Sequence, residues 1–236
     1  LEGPLAVRSS SLLEDSQFQP FAGIYSTYMI PNSHRSQTVR FSELCTAIKA
    51  VFASTYSERA QTYLSNTPHA VEDERMAVVI QQVVGRPHGD RFYPLLAGVA
   101  QTYNYYPIGS QRHDEGIAHV VLGLGQAVVA GRTSLRFSPG SPTILPQFVS
   151  TDDYLKYTQK SFLALRLTAD EFDDWTEPEK SFHEHPLSAA EEDGTLHFVG
   201  SVYCREDDAI RDNLSLAGPR LVTFNNILKW RDFPLA

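Results

Sequence analysis

Cysteine is scarce in this chain. Its 236 residues contain two, Cys45 and Cys204, far apart and without the paired spacing of a metal or redox motif. That excludes a disulfide framework, and both thiols are expected to be reduced core or half-buried residues. Cations are outnumbered, 20 Lys and Arg against 28 Asp and Glu, for a formal net charge of -8. A surface of that sign argues against general binding to nucleic acid or anionic membrane, while leaving room for a local basic pocket. No apolar run approaches the roughly 20 residues of a membrane span, and no signal peptide is visible; a cytoplasmic setting is expected. Internal repeats and low-complexity tracts are absent. No Ser-His-Asp or Cys-His nucleophile arrangement can be assembled, so no catalytic residue is assigned. What remains is ordinary globular composition, 42% hydrophobic and 20% charged, in a chain long enough for one large domain or two small ones.

The pattern is mixed α and β. Residues 4–8 read as a short strand, and residues 24–30 alternate and end at Pro31-Asn32. Between residues 42 and 64 the period changes: Leu44, Ala47, Ile48, Val51 and Phe52 fall on one helix face. Residues 76–84 form a β-branched run expected to be a strand buried on both faces. Residues 85–89 read as a turn, residues 97–103 and 117–122 as strands, and residues 126–130 as a short helix after Gly123-Leu-Gly125. These three strands (76–84, 97–103 and 117–122) are expected to share one mostly antiparallel sheet, covered on one face by the 42–64 helix. Pro139, Pro142 and Pro146 stiffen a connection, and residues 138–147 are the best candidate boundary. Beyond it, residues 162–168, 196–204 and 219–224 read as strands, 170–192 as an acidic surface loop with some helix, and 226–230 as a short helix. The fold class expected is α+β.

Residues 4–32 pose a chemical question. A strand ends in Arg8, followed by Ser9, Ser10 and Ser11. A guanidinium is a permanent cation with a planar fork of donors, suited to phosphate, and small hydroxyls let the backbone turn. An ordinary salt bridge from Arg8 to Glu14 or Asp15 explains the same letters. Other clusters say less. His183 and His185, at i and i+2, would share a strand face and could hold a metal, but no third ligand is evident nearby. His113-Asp-Glu115 reads as a polar turn. Tyr103, Tyr105 and Tyr106 lack the basic neighbours of a base-stacking platform and read as a partly buried strand end.

Four segments in order carry a family resemblance: Val-Arg-Ser-Ser at 7–10 with Glu14-Asp15 and Phe21-Ala-Gly23; Val-Ile-Gln-Gln-Val-Val at 79–84; Ala-Gly-Val-Ala at 97–100; and Gly-Leu-Gly-Gln-Ala-Val-Val-Ala-Gly-Arg at 123–132. Their order and spacing resemble the nucleotide-binding domain of phosphoenolpyruvate synthase and pyruvate phosphate dikinase, an ATP-grasp fold. The resemblance covers residues 4 to about 136 and continues more weakly through 218–224 to 234–236. It implies residues 1–137 as an ATP-grasp-like core whose N-terminal lobe is missing, and residues 138–236 as a C-terminal extension of the same domain. It implies ATP and Mg²⁺ as ligands and the remaining domains of a longer parent chain as partners. Arg8 and Ser9 would serve the phosphates, and backbone groups near Gln81 and Val83 the adenine edge. Arg132 or Arg136 would supply further positive charge.

The departures carry weight too. Active relatives read Gly-Leu-Gly-Glu where this chain has Gln126, so a neutral amide oxygen stands where a carboxylate would help hold Mg²⁺. The zone about a dozen residues further on, around Arg136-Phe-Ser-Pro-Gly140, has no clear match. Two functions follow. The chain is a fragment of an ATP-dependent phosphotransferase that makes phosphoenolpyruvate through a phosphohistidine on another domain, or it is a degenerate ATP-grasp module with a regulatory or assembly role. In either, Arg8 and Gln126 are expected to meet across one cleft.

Overall fold

Alternation decides the first sheet. Along β1 (Leu5–Ser11) every second side chain, Leu5, Val7, Ser9 and Ser11, is buried, while Ala6, Arg8 and Ser10 turn the other way. In the computed structural model, which describes residues 2–11, 23–65, 75–168 and 182–229, β1 is the central strand of three. It pairs antiparallel with β2 (Thr27–Ile30), Arg8 facing Thr27, and with β3 (Met76–Gln82), Arg8 facing Val79. The buried face packs on α1 (Gln37–Ser54) through a core of Leu5, Val7, Tyr28, Ile30, Ala47 and Val51. Each large apolar side chain buried there contributes about 1.5–3 kcal/mol.

The single helix expected over 42–64 is two. α1 ends at Thr55, and α2 (Glu58–Ser65) starts afresh because the Ser57 hydroxyl accepts the Ala60 amide at 3.2 Å, an N-cap bond. Ser54 fixes the break from the other side: its Oγ donates to Val51 O at 2.7 Å and accepts Ser26 N–H at 3.2 Å. α2 then closes a small core of Tyr25, Ala60 and Leu64. Phe52, placed by period on the buried face, is 46% exposed.

Four further expectations are corrected. β3 is not buried on both faces: most of its residues are exposed or half-buried. It also does not share a sheet with the next two strands. β6 (Ala97–Gln101) and β7 (Ile117–Val121) do pair antiparallel, but their sheet is completed by β8 (Leu135–Phe137), while β3 pairs with β1. The intervening residues prevent a simple meander. The 85–89 stretch read as a turn contributes a strand, β4 (Arg86–His88), which turns at Gly89 (φ +62°) into β5 (Arg91–Tyr93), and Arg91 and Phe92 pair with the end of β9 (Ser161–Arg166). Finally, residues 196–199 form a helical turn rather than a strand, as given below.

The chain divides into two compact units, Leu1–Phe92 with Leu165–His183 and Tyr93–Ala164 with Glu184–Ala236. The second unit holds the β6-β7-β8 sheet and α3 (Gln126–Val129). Gly123 is required here. Its φ is +89°, and a Cβ would lie 2.6 Å from Leu163 O. The buried Gln159 amide locks the same corner, donating to Leu122 O and Ser161 O and accepting Leu122 N–H, all at 2.8–3.0 Å. Just before it lies α4 (Thr151–Tyr157), with a capping box between Ser150 and Asp153. After β10 (Phe182–Pro186) come α5 (Leu187–Glu192) and α6 (Leu196–Val199). A three-stranded sheet follows, with β11 (Gly200–Cys204) between β12 (Ala209–Arg211) and β13 (Arg220–Val222), and then α7 (Asn225–Leu228). The Asp212 carboxylate ties this sheet to α7, accepting from Ser201 Oγ at 2.7 Å, Asn225 Nδ2 at 2.9 Å and Lys229 Nζ at 3.1 Å. Among the described residues no helix is long and apolar enough to cross a membrane. The Glu14-Asp15 pair, Phe21-Ala22 and residues 234–236 lie outside the described residues.

Candidate functional site

Arg8 sits at the centre of the face of the β2-β1-β3 sheet that points away from α1. Its side chain is exposed, and among the described residues it has no hydrogen-bond or ion-pair partner. Strand pairing sets its neighbours. Thr27 and Val79 lie directly opposite on the two flanking strands, and Gln81, opposite Ala6, falls on the same face one pleat along. Ser10 shares that face. Ser9 does not: it is 4% exposed, on the core side of β1. The strand therefore separates Arg8 from Ser9 and leaves Arg8 with Ser10, Val79 and Gln81.

Among the described residues β3 is the outer strand of this sheet. In an antiparallel pair, successive residues turn their backbone groups alternately toward and away from the partner. Val83 N–H donates to Pro4 O at 2.9 Å, which sets the phase. Gln81, two residues back, turns its backbone toward β1, and Ile80 and Gln82 turn theirs to the outer edge. The Val83 amide is therefore spent within the ladder. The backbone donors and acceptors presented at the edge are those of Ile80 and Gln82.

The remaining sequence-derived candidates belong to the second unit. Gln126 is the first residue of α3, half-buried. Its side chain can offer a metal only the amide oxygen, and among the described residues no three His, Cys, Asp or Glu side chains gather as a metal cluster. An uncharged donor suits Mg²⁺ only when phosphate oxygens bring the negative charge. Arg132 forms an ion pair with Glu184 at 3.0 Å, and Ser161 Oγ donates to the other Glu184 oxygen. Those two hydrogen bonds, Ser161's first, hold the Glu184 carboxyl below its ordinary range. Arg136 is committed to its own neighbourhood: its Nη2 donates to Tyr106 O at 2.9 Å, and its backbone N–H to Gln147 Oε1 at 2.7 Å. It lies close enough to His119 to help burial hold that imidazole below its usual value. Arg136 braces the 104–106 loop rather than standing free for a ligand.

The weaker clusters resolve in physical terms. Tyr103, Tyr105 and Tyr106 are 46%, 68% and 78% exposed, so they are a surface loop and not the partly buried strand end expected. Tyr103 stacks on His113, ring centroids 5.3 Å apart. His183 and His185 both lie on β10, His183 Nδ1 3.3 Å from Arg166 Nη2 and the His185 ring 5.7 Å from that of Phe162. Cys45 and Cys204 are free thiols, half-buried. Sequence reasoning missed Lys160 and Glu184, which carry charge beside Arg132. Nothing local marks them, because their meeting depends on how β9 and β10 approach α3.

Comparison with known proteins supplies the family. Residues 1–145 match the family model described as pyruvate phosphate dikinase, AMP/ATP-binding domain. The chain is similar to the uncharacterized phosphotransferase YvkC of Bacillus subtilis (strain 168), 29% identical over 132 residues, which is 55% of this chain and 14% of that protein. It is also similar to the rifampicin phosphotransferase of Streptomyces sviceus, 32% identical over 126 residues, covering 53% of this chain and 12% of that protein. The chain thus spans about an eighth of the curated relatives it matches.

Proposed function

Because the chain belongs to the pyruvate phosphate dikinase AMP/ATP-binding domain family, we propose that the face of the β2-β1-β3 sheet away from α1, with the outer edge of β3, receives a nucleotide. The observation that carries this reading is Arg8, an exposed arginine in the middle of a strand with no partner among the described residues. A cation held on a strand with no partner among the described residues is poised for an anionic ligand. Val79 opposite it offers an aliphatic surface to a base, Gln81 a polar contact, and the backbone of Ile80 and Gln82 a donor and acceptor edge.

We assign ATP as the nucleotide and Arg8 as a phosphate contact. Residues 1–137 form the ATP-grasp nucleotide-binding core in this reading, and residues 138–236 its C-terminal extension. Gln126 is the residue that would offer an amide oxygen to a Mg²⁺ ion bound with the nucleotide, and that ion would neutralise phosphate charge. The reaction served is a phosphotransfer from ATP through a phosphohistidine outside these residues to pyruvate, with this chain binding and orienting the donor. Both relatives being phosphotransferases supports that class. The test is calorimetric titration of the chain with ATP, with and without Mg²⁺. Saturable binding that the magnesium strengthens is expected, and no heat with either would remove the reading.

A further inference from the structure

Beside α3 in the second unit lies a cavity of about 420 Å³ lined by Arg132, Thr133, Lys160, Ser161 and Glu184 among others. Two cations and two hydroxyls face one carboxylate. The Glu184 carboxylate already displays what the site does: it is held by a guanidinium at 3.0 Å on one oxygen and by the Ser161 hydroxyl on the other. A guanidinium fork and a hydroxyl converging on an oxyanion are the donor set of a phosphate site. Lys160 has no share in that pair. Its Nζ donates to Thr158 Oγ1 at 3.2 Å and has no carboxylate within ion-pair distance among the described residues. Lys160 is exposed as a residue, yet partial desolvation makes its charge costly and lowers its pKa. The walls are fixed, because the buried Gln159 side chain bonds to Leu122 and Ser161 on either side. The Arg132–Glu184 pair is half exposed, 47% and 52%, and an ion pair so exposed is weak. A dianion can displace it.

We propose that this cavity binds the phosphate group of a small phosphorylated molecule, with Arg132, Lys160 and Ser161 as donors and Glu184 as an internal competitor that the ligand displaces. The proposal stands apart from nucleotide binding at β3. The space exceeds a bare phosphate, so a phosphate monoester is the fitting class.

The test uses the whole chain and needs no variant to begin. Lysines are acetylated with acetic anhydride in the presence of inorganic phosphate, glycerol 3-phosphate or ATP, with sulfate-free chloride buffer as reference, and each site is quantified by mass spectrometry. Phosphate and glycerol 3-phosphate should protect Lys160 and leave Lys156, which does not line the cavity, unchanged. In calorimetric titrations with glycerol 3-phosphate, Lys160→Met should weaken binding by about tenfold, one charge-assisted bond. Glu184→Gln, which frees Arg132, should strengthen it. ATP arms separate the sources. Protection of Lys160 by ATP, competing with phosphate, assigns the phosphate to the nucleotide; ATP binding that leaves Lys160 reactive assigns it to a separate small ligand. Equal protection of Lys156 and Lys160, no protection by either phosphate probe, or weaker binding in Glu184→Gln would overturn the proposal, whatever ATP does at β3.

Discussion

Arg8→Ala separates ligand binding from stability more cleanly than any other substitution in this chain. The side chain is exposed and makes no hydrogen bond or ion pair with a described residue, so its removal should shift stability by no more than about 0.5 kcal/mol. In a chain of this length that is a melting shift below about 2 °C. A charge-assisted hydrogen bond to phosphate is worth about 1.5–3 kcal/mol, and the openness of the face places Arg8 at the lower end, so ATP affinity should fall roughly tenfold. Arg8→Lys keeps the charge but not the planar fork and should recover only part of the loss. Ser9→Ala is the mirror experiment. Ser9 is 4% exposed and is not without a partner, so losing its buried hydroxyl should cost about 1 kcal/mol of stability and leave ATP affinity alone. The assays are calorimetric Kd values and thermal melts on the same four proteins. An Arg8→Ala protein that melts several degrees lower yet binds ATP as the parent does would refute the reasoning, since Arg8 would then be structural.

Three further outcomes are expected. Gln126→Glu should tighten ATP binding in the presence of Mg²⁺ and not in EDTA, because the added carboxylate acts through the cation; an equal effect in both would remove the metal assignment. Gly123→Ala should cost about 2–4 kcal/mol, combining left-handed strain with a backbone collision, since its Cβ would lie 2.6 Å from Leu163 O; Gly131→Ala, at φ +69° with nothing within 4 Å, should show the strain alone. Burial pushes the Asp212 carboxyl up, but bonds from Asn225, Ser201 and Lys229 outweigh it, leaving a net depression. Its contribution is therefore full above the unfolded carboxyl value and fades as pH falls through the lower folded one. Urea midpoints at neutral pH and at about pH 3 should differ less in Asp212→Asn than in the parent, and an unchanged acid sensitivity would count against the assignment.

β1, β3, β6, β7 and α3 are legible in the amino-acid sequence from local letters alone: short apolar runs, the β-branched stretch at 76–84 and the break at Gly123-Leu-Gly125. What is not legible there is mostly long-range. Nothing in residues 76–82 says that they pair with β1 rather than with the strands that follow, and nothing near Arg132 points to Glu184. Two misses are local and have signals: the Ser57 cap that splits the 42–64 helix, and the Ser150/Asp153 box that opens α4. Residues 196–199 show the opposite failure, an apolar run too short to distinguish one helical turn from a strand. At the candidate site the sequence names Arg8 but not the inward turn of its neighbour Ser9. The apolar letters of β1 stop at Val7, and only three serines continue its alternation toward the core.

The outer edge of β3 has a consequence beyond recognition. Val78, Val79 and Ile80 are β-branched, the strand is outermost in its sheet, and Ile80 is 39% exposed. Such an edge templates the addition of another strand, from this chain or a second copy, and natural proteins commonly blunt it with lysine or proline; residues 76–82 contain neither. Colloidal behaviour then becomes coupled to occupancy. A ligand seated along this edge also shields it, so slow self-association at high concentration should diminish when the edge is covered, and a single Ile80→Lys should do the same without any ligand.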